Sequence, residues 1–139
     1  MERETKMVIY ACILIGLSII FINIKQTSAK KITLEPKFKR MLVTAYCPCE
    51  KCCGQYAAYG KTSKGRDAWK TFGVAADPKV LPYGKKLRIP GIGIREVDDT
   101  GGAMRQSTKK GICHIDTRFH NHQEALNFGR QWLNVEILN

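Results

Sequence analysis

The sequence predicts a mainly β domain, a small barrel of six short strands with one short helix, preceded by an N-terminal hydrophobic helix. Three observations lead there. Short runs of alternating or β-branched residues are separated by turns rich in Gly and Pro. One segment near the C-terminus carries a helix start signal. The first apolar run, MVIYACILIGLSIIFINI from Met7 to Ile24, is unlike anything that follows it.

Arg3 and Lys6 precede that run. It is longer than the apolar part of a signal peptide, ~7–15 residues, and sits at the short end of a spanning helix, ~17–25 residues. Thr27-Ser28-Ala29 has the small residues a signal peptidase needs. Residues 1–29 therefore read as a signal peptide or signal anchor. Both place the remainder outside the cytoplasm: in the periplasm, in the cell envelope or secreted, anchored by the N-terminal helix if it is uncleaved. Residues 30–40 are basic, lack apolar periodicity and contain Pro36, which reads as a linker. Residues 41–139 form one domain.

Strands are expected at Met41–Tyr46, Phe72–Ala76, Lys85–Ile89, Ile94–Asp98, Ile112–Asp116 and Trp132–Leu138. In the third, Leu87 and Ile89 share a face opposite Lys86 and Arg88; in the last, Leu133, Val135 and Ile137 share one opposite Asn134 and Glu136. Cys47 to about Lys70 is a long unpatterned loop, and such loops are usually functional or stapled. Thr100-Gly101-Gly102 breaks the fourth strand. The helix is His122–Arg130, with Asn121 as N-cap and Glu124 three positions on.

The formal charge is +11, and from Lys30 onward twenty Lys and Arg face ten Asp and Glu. Such an excess attracts nucleic acid, anionic lipid or the carboxylates of cell-wall peptides. No nucleic-acid-binding motif is present and an export segment argues against that partner. Ordinary apolar content, 44%, excludes a disordered chain or a multi-span membrane protein.

Five cysteines follow the export segment: Cys47, Cys49, Cys52, Cys53 and Cys113. Outside the cytoplasm the first reading is disulfides that staple a small domain. The second is zinc held by the closely spaced thiolates, although CPCEKCC lacks the separated second pair of a zinc ribbon. Reactive thiols are the third. No metal site or cofactor is assigned. His114, His120 and His122 are irregularly spaced and read as structural or surface residues.

Aspartates stand at three strand ends: Asp77 in VAADP, Asp98 and Asp99 in VDDTGG, and Asp116 in HIDTRF. Asp is unfavourable inside strands. Singly, each reads as a turn cap. Together, TAYCPC, KTSKG, GVAADPKVLPYGKKLRIPGIG, VDDTGGAM, HIDTRF, HQEALNFG and VEIL resemble, over Leu42–Leu138, the three-aspartate "3D" domain of the membrane-bound lytic transglycosylase A family and related muralytic proteins. The Cys-rich start resembles a subgroup of that domain.

The resemblance implies a double-psi β-barrel acting on peptidoglycan glycan strands. It implies cleavage of the β-1,4 bond between N-acetylmuramic acid and N-acetylglucosamine with a 1,6-anhydro product. The family's aspartates map onto Asp77, Asp99 and Asp116, with Asp98 the second choice for the middle position. Asp99 is the expected acid/base, tuned by Asp116 and Asp77. Gly101 and Gly102 leave room for a sugar ring, and Lys64 and Arg105 are candidate substrate contacts. Family members often carry Lys where this chain has Met104-Arg105-Gln106, and an aromatic where it has Thr117-Arg118-Phe119. A non-catalytic glycan-binding barrel is the alternative reading.

Overall fold

The computed structural model describes residues 37–138; the expected signal or anchor segment and most of the linker lie outside them. Six strands are present: β1 (Lys37–Tyr46), β2 (Gly73–Ala75), β3 (Lys86–Ile89), β4 (Gly93–Asp99), β5 (His114–Arg118) and β6 (Gln131–Leu138). They close into a barrel in the order β1-β5-β2-β4-β3-β6, so the mainly β barrel expected from the sequence is the fold. Closure pairs every strand on both sides and removes exposed edges.

Two of the six pairings are parallel, β1 with β5 and β2 with β4. Parallel neighbours cannot be joined by a tight hairpin and need long crossovers. Between β1 and β5 the chain runs through the loop after β1, strands β2–β4 and a helix; between β2 and β4 it runs through the turns of residues 76–85 and β3. Four residues, Glu50–Cys53, form the first helix (α1), which runs into a 3₁₀ turn at Gly54–Tyr59. Two further helices follow, α2 (Gly102–Lys109) and α3 (His122–Phe128). Among the described residues no helix is long and apolar enough to cross a membrane.

Strand β1 starts at Lys37, four residues inside the segment read as linker. Lys37–Arg40 pair antiparallel with Asn134–Ile137 of β6. Their side chains are exposed, so no apolar pattern marks them; the backbone ladder alone recruits them. Helix α2 is a second departure. Its entry residue, Gly101, offers no capping side chain, and Met104 is its one buried residue, so neither a cap nor an apolar stripe announces it. Helix α3 matches expectation: Asn121 Oδ1 accepts from the amides of Gln123 at 2.8 Å and Glu124 at 3.1 Å. It ends at Phe128 because Gly129 takes a positive φ of 66°.

The barrel interior is filled by Met41, Val43, Val74, Leu87, Ile89, Val97, Ile115 and Val135. Each such side chain contributes about 1.5–3 kcal/mol by leaving water. Leu42, on the other face of β1, is also fully buried. Helix α3 packs against β1, and α2 against β5. That packing leaves one end of the barrel to be walled by the loop after β1.

Candidate carboxylate cleft

Strand β2 lies between β4 and β5, and Ala75 is in register with Asp99 on one side and Asp116 on the other. Paired residues on neighbouring strands project to the same side. Two carboxylates therefore flank Ala75 on one face, with backbones two strand spacings apart, about 10 Å. Both line a cleft of about 970 Å³. Its other walls come from Tyr46, from the loop through Pro48, Tyr56 and Tyr59 to Ser63, and from Gly101, Gly102 and Arg105 at the start of α2.

The two carboxylates have different surroundings. Asp99 Oδ1 accepts from the Ser63 amide at 3.0 Å, the Ser63 hydroxyl at 2.6 Å and the Thr100 amide at 2.9 Å. Its Oδ2 accepts from the Tyr46 hydroxyl at 2.8 Å. Four donors fill its lone pairs. Burial holds the Tyr46 phenol far above its ordinary range, so it remains a donor. Asp116 accepts one bond among these contacts, from the Thr44 hydroxyl at 2.7 Å. Burial pushes its pKa up from 3.8 to about 6; the Thr44 bond opposes the rise and the charge of Asp99 adds to it.

Strand β4 bulges against β2 between Val97 and Asp99, and Asp98 is the extra residue. Asp99 lines the cleft, and Arg118 Nη1 lies 4.0 Å from its Oδ2. Asp98 is fully buried and pairs with Arg118: Nη1 to Oδ1 at 3.1 Å and Nη2 to Oδ2 at 2.6 Å. Arg118 also donates to the Thr71 carbonyl at 3.0 Å, the Thr71 hydroxyl at 3.1 Å and the Tyr46 oxygen at 2.9 Å. The buried guanidinium thus supports the tyrosine that supports Asp99. Gly73 makes room for this pair, because a Cβ there would run into the Asp98 carboxylate.

The remaining expected site residues divide. Gly101, Gly102 and Arg105 line the cleft, and a Cβ on Gly102 would meet nothing. Arg105 Nη1 donates to the Thr100 hydroxyl at 3.3 Å. Lys64 turns away from the lining, with its ammonium 5.7 Å from the centre of the Tyr83 ring. Asp77 does not line the cleft either. It is 6% exposed, and its Oδ1 accepts from the Lys79 amide at 3.0 Å, in the turn that leaves β2.

Four residues that hold the two cleft carboxylates were not singled out from the sequence: Tyr46 and Ser63, which line the cleft, and Thr44 and Arg118, which stand behind it. Thr44 and Tyr46 stand at alternate positions at the end of β1 and so share a face. That spacing, in TAY directly before the Cys-rich loop, was the available signal. Ser63 and Arg118 carry no local signal, because a turn serine and a strand arginine are ordinary surface residues.

No disulfide joins the five cysteines of the described residues. Cys47, Cys49 and Cys52 converge instead with His122, which had been read as a structural or surface histidine. His120 is structural: its ring stacks on Phe72 at 4.1 Å and its Nε2 meets the Thr71 carbonyl at 3.0 Å.

Fold and cleft define a class, that of small closed barrels with two strand-end carboxylates facing one groove. Residues 73–139 match the 3D domain family, and the chain carries that domain. Two Bacillus subtilis (strain 168) proteins are similar to it. A protein named for cell wall shaping, YabE, is 30% identical over 96 residues, 69% of this chain and 22% of its own length. The cell wall-binding protein YocH is 33% identical over 66 residues, 48% of this chain and 21% of its own length. This chain thus spans about a fifth of the length of each relative. Thr44, Tyr46, Ser63 and the loop cysteines precede the matched 3D residues.

Proposed function

We propose that this protein is exported and cleaves peptidoglycan glycan strands at the cleft between Asp99 and Asp116, as a lytic transglycosylase. The observation that carries the reading is the inequality of the two carboxyls. Burial lifts the Asp116 pKa to about 6, so it carries its proton in mildly acidic solution, while Asp99 accepts from four donors. Glycosidic cleavage needs a proton on the leaving oxygen and negative charge beside the sugar carbon that becomes cationic. Unequal carboxyls facing one groove supply both.

In this reading Asp116 donates its proton to the bridging oxygen as the C1–O bond breaks. Asp99 stabilises the developing positive charge. The C6 hydroxyl of the same muramic acid then attacks C1, and Asp116, now ionised, takes that hydroxyl's proton. The ring closes to the 1,6-anhydro sugar, no water is consumed, and Asp116 ends protonated as it began. An attacking group on the substrate itself has a high effective concentration, which removes the need for an enzyme nucleophile. The acid role expected at Asp99 thus moves to Asp116, and Asp77 holds the turn after β2.

The name of the wall-binding relative supports a second reading, a barrel that binds wall glycan without cutting it. Tyr56 and Tyr59, 68% and 72% exposed, stand beside the cleft as faces for sugar rings and serve either reading. Purified sacculi treated with the protein and analysed by mass decide between them. Anhydro-muropeptides from wild type and none from Asp116→Asn support cleavage. Reducing ends with added water replace the transglycosylase by a hydrolase. Sacculus binding with no fragment released by any variant leaves only the binding barrel.

A further inference from the structure

The loop after β1 brings three thiols and one imidazole to a single point. Cys47 directly follows β1 and is buried; Cys49 and Cys52 bracket the start of α1; His122 opens α3. The amides of Cys52 and Cys53 both donate to the Cys49 carbonyl, at 3.1 and 2.9 Å, folding the loop into a tight knuckle. His122 Nδ1 lies 3.5 Å from Cys47 Sγ, 3.4 Å from Cys49 Sγ and 3.4 Å from Cys52 Sγ. Cys47 Sγ is 3.5 Å from Cys52 Sγ and 2.8 Å from Cys49 Sγ, and all four atoms lie within 4.8 Å of one another.

We propose that Cys47, Cys49, Cys52 and His122 form a structural zinc site that fixes the loop wall of the cleft to helix α3. A tetrahedral zinc with Zn–S bonds of about 2.3 Å and a Zn–N bond of about 2.0–2.1 Å has edges of roughly 3.8 Å between sulfurs and 3.5 Å from sulfur to nitrogen. The three sulfur–nitrogen separations match that edge. The Cys47–Cys49 edge is shorter and opens by about 1 Å around an ion of this size.

The selection among cysteines favours a metal over a disulfide. A disulfide joins two sulfurs and gives no reason for a third sulfur and an imidazole nitrogen to converge on them. Two other cysteines are left out: Cys53 Sγ turns to the Cys47 carbonyl at 3.4 Å, and Cys113 lies in the barrel core. Binding would displace three thiol protons to solvent and leave zinc with three thiolates and a neutral imidazole, a net charge of −1. Four protein ligands leave no open position, which marks a structural centre apart from the Asp99 and Asp116 chemistry. From Cys53 the chain runs straight into the 3₁₀ turn that carries Tyr56 and Tyr59, so the centre would set where those rings stand.

The test uses the full chain, purified in detergent with a non-thiol reductant and no chelator. Elemental analysis is expected to find about one zinc per chain. Cobalt substitution is expected to give thiolate-to-cobalt charge transfer with tetrahedral ligand-field bands, and zinc-edge absorption three sulfurs and one nitrogen. His122→Ala and Cys52→Ser are expected to weaken zinc tenfold or more against a chromophoric chelator, with Cys53→Ser and Cys113→Ser unchanged. Should the ligand variants fail to fold, the wild-type cobalt and absorption spectra decide alone. A wild-type chain without zinc, a metal lacking sulfur ligands, or a Cys47–Cys49 or Cys49–Cys52 disulfide in the non-reduced peptide map overturns the site.

Discussion

The Thr44 hydroxyl donates to Asp116 Oδ1 at 2.7 Å while the other side of its oxygen meets His114 Nε2 at 2.9 Å. His114 Nδ1 in turn meets the Ser107 hydroxyl at 2.9 Å. If Thr44 gives its only proton to Asp116, it accepts from His114, which fixes the imidazole as the Nε2–H tautomer. Burial lowers the His114 pKa, consistent with a neutral ring. A relay of uncharged groups thus ends on the carboxyl assigned the acid role.

Thr44→Val removes the one bond that favours the ionised form of Asp116. The Asp116 pKa, about 6 in the wild type, is expected to rise by roughly one pH unit, the scale of a single hydrogen bond to a charged group. Carbon-detected titration of the Asp116 carboxyl measures it directly, whether or not the protein cuts glycan. A pKa that stays put or falls would show that Thr44 does not tune this group.

Asp116 opposes folding when it is ionised. Its pKa is 3.8 in an ordinary setting and about 6 in the folded protein, so the folded state binds its proton more tightly than the unfolded state. Its contribution is most favourable below about pH 4 and is lost as pH rises through 6. The cost at pH 7 is on the order of 3 kcal/mol. The titratable groups that face it are Asp99 and Cys53 directly and His114 through Thr44. Asp116→Asn is therefore expected to be more stable than wild type at pH 7 and to lose that advantage at pH 4, while glycan cleavage disappears. Urea unfolding at both pH values measures the difference, and an equal gap at both would refute the account.

The legible parts of this protein were those with a local cause. Alternation exposed β3 and β6 because one face of each strand is buried, and Asn121 announced α3 because its side chain satisfies helix amides. Asp77, Asp98, Asp99 and Asp116 stood out together because Asp is unfavourable inside strands, although each alone reads as a turn cap. Their division of labour was not legible. Whether an aspartate faces the cleft, a turn or the core depends on one step along the strand and on partners such as Arg118 and Ser63, 20 and 36 residues from the aspartates they hold. The convergence of the cysteines with His122 was not legible for a related reason: the histidine lies 70 residues beyond Cys52 and is brought in by the packing of α3 against β1.

Tyr56 and Tyr59 are exposed rings with no packing role, so Tyr59→Ala is expected to alter stability by less than about 0.5 kcal/mol. A sugar ring stacked there would lose roughly 1 kcal/mol of contact, a weakening of about fivefold. Sedimentation with purified sacculi, scored beside a thermal melt, measures both. Unchanged binding by the Tyr56→Ala, Tyr59→Ala double variant would move the glycan path off this wall.

The Asp98–Arg118 pair makes the last and largest prediction, because both side chains are fully removed from solvent. Ionic pairs in such places add little net stability over an apolar replacement, but removing one partner strands a buried charge. Arg118→Met and Asp98→Asn are each expected to cost about 3–5 kcal/mol in urea unfolding. The double variant should cost clearly less than their sum. Arg88–Glu136 serves as the control: it has a similar separation, 2.6 Å, but its arginine is 56% exposed, and Arg88→Ala should cost no more than about 1 kcal/mol. Arg118→Met also removes a donor from Tyr46, so the tyrosine's bond to Asp99 should loosen, and cleavage should fall further than the stability loss at the assay temperature explains. Tyr46→Phe separates the two effects. It removes the phenol bonds to Asp99 and Arg118 while Arg118 keeps Asp98, so it should reduce cleavage with a smaller change in the unfolding midpoint. If Tyr46→Phe cuts normally while Arg118→Met does not, the Tyr46 link to Asp99 carries no function, and the arginine acts through the stability of the barrel or through its own charge beside Asp99, Nη1 to Oδ2 at 4.0 Å.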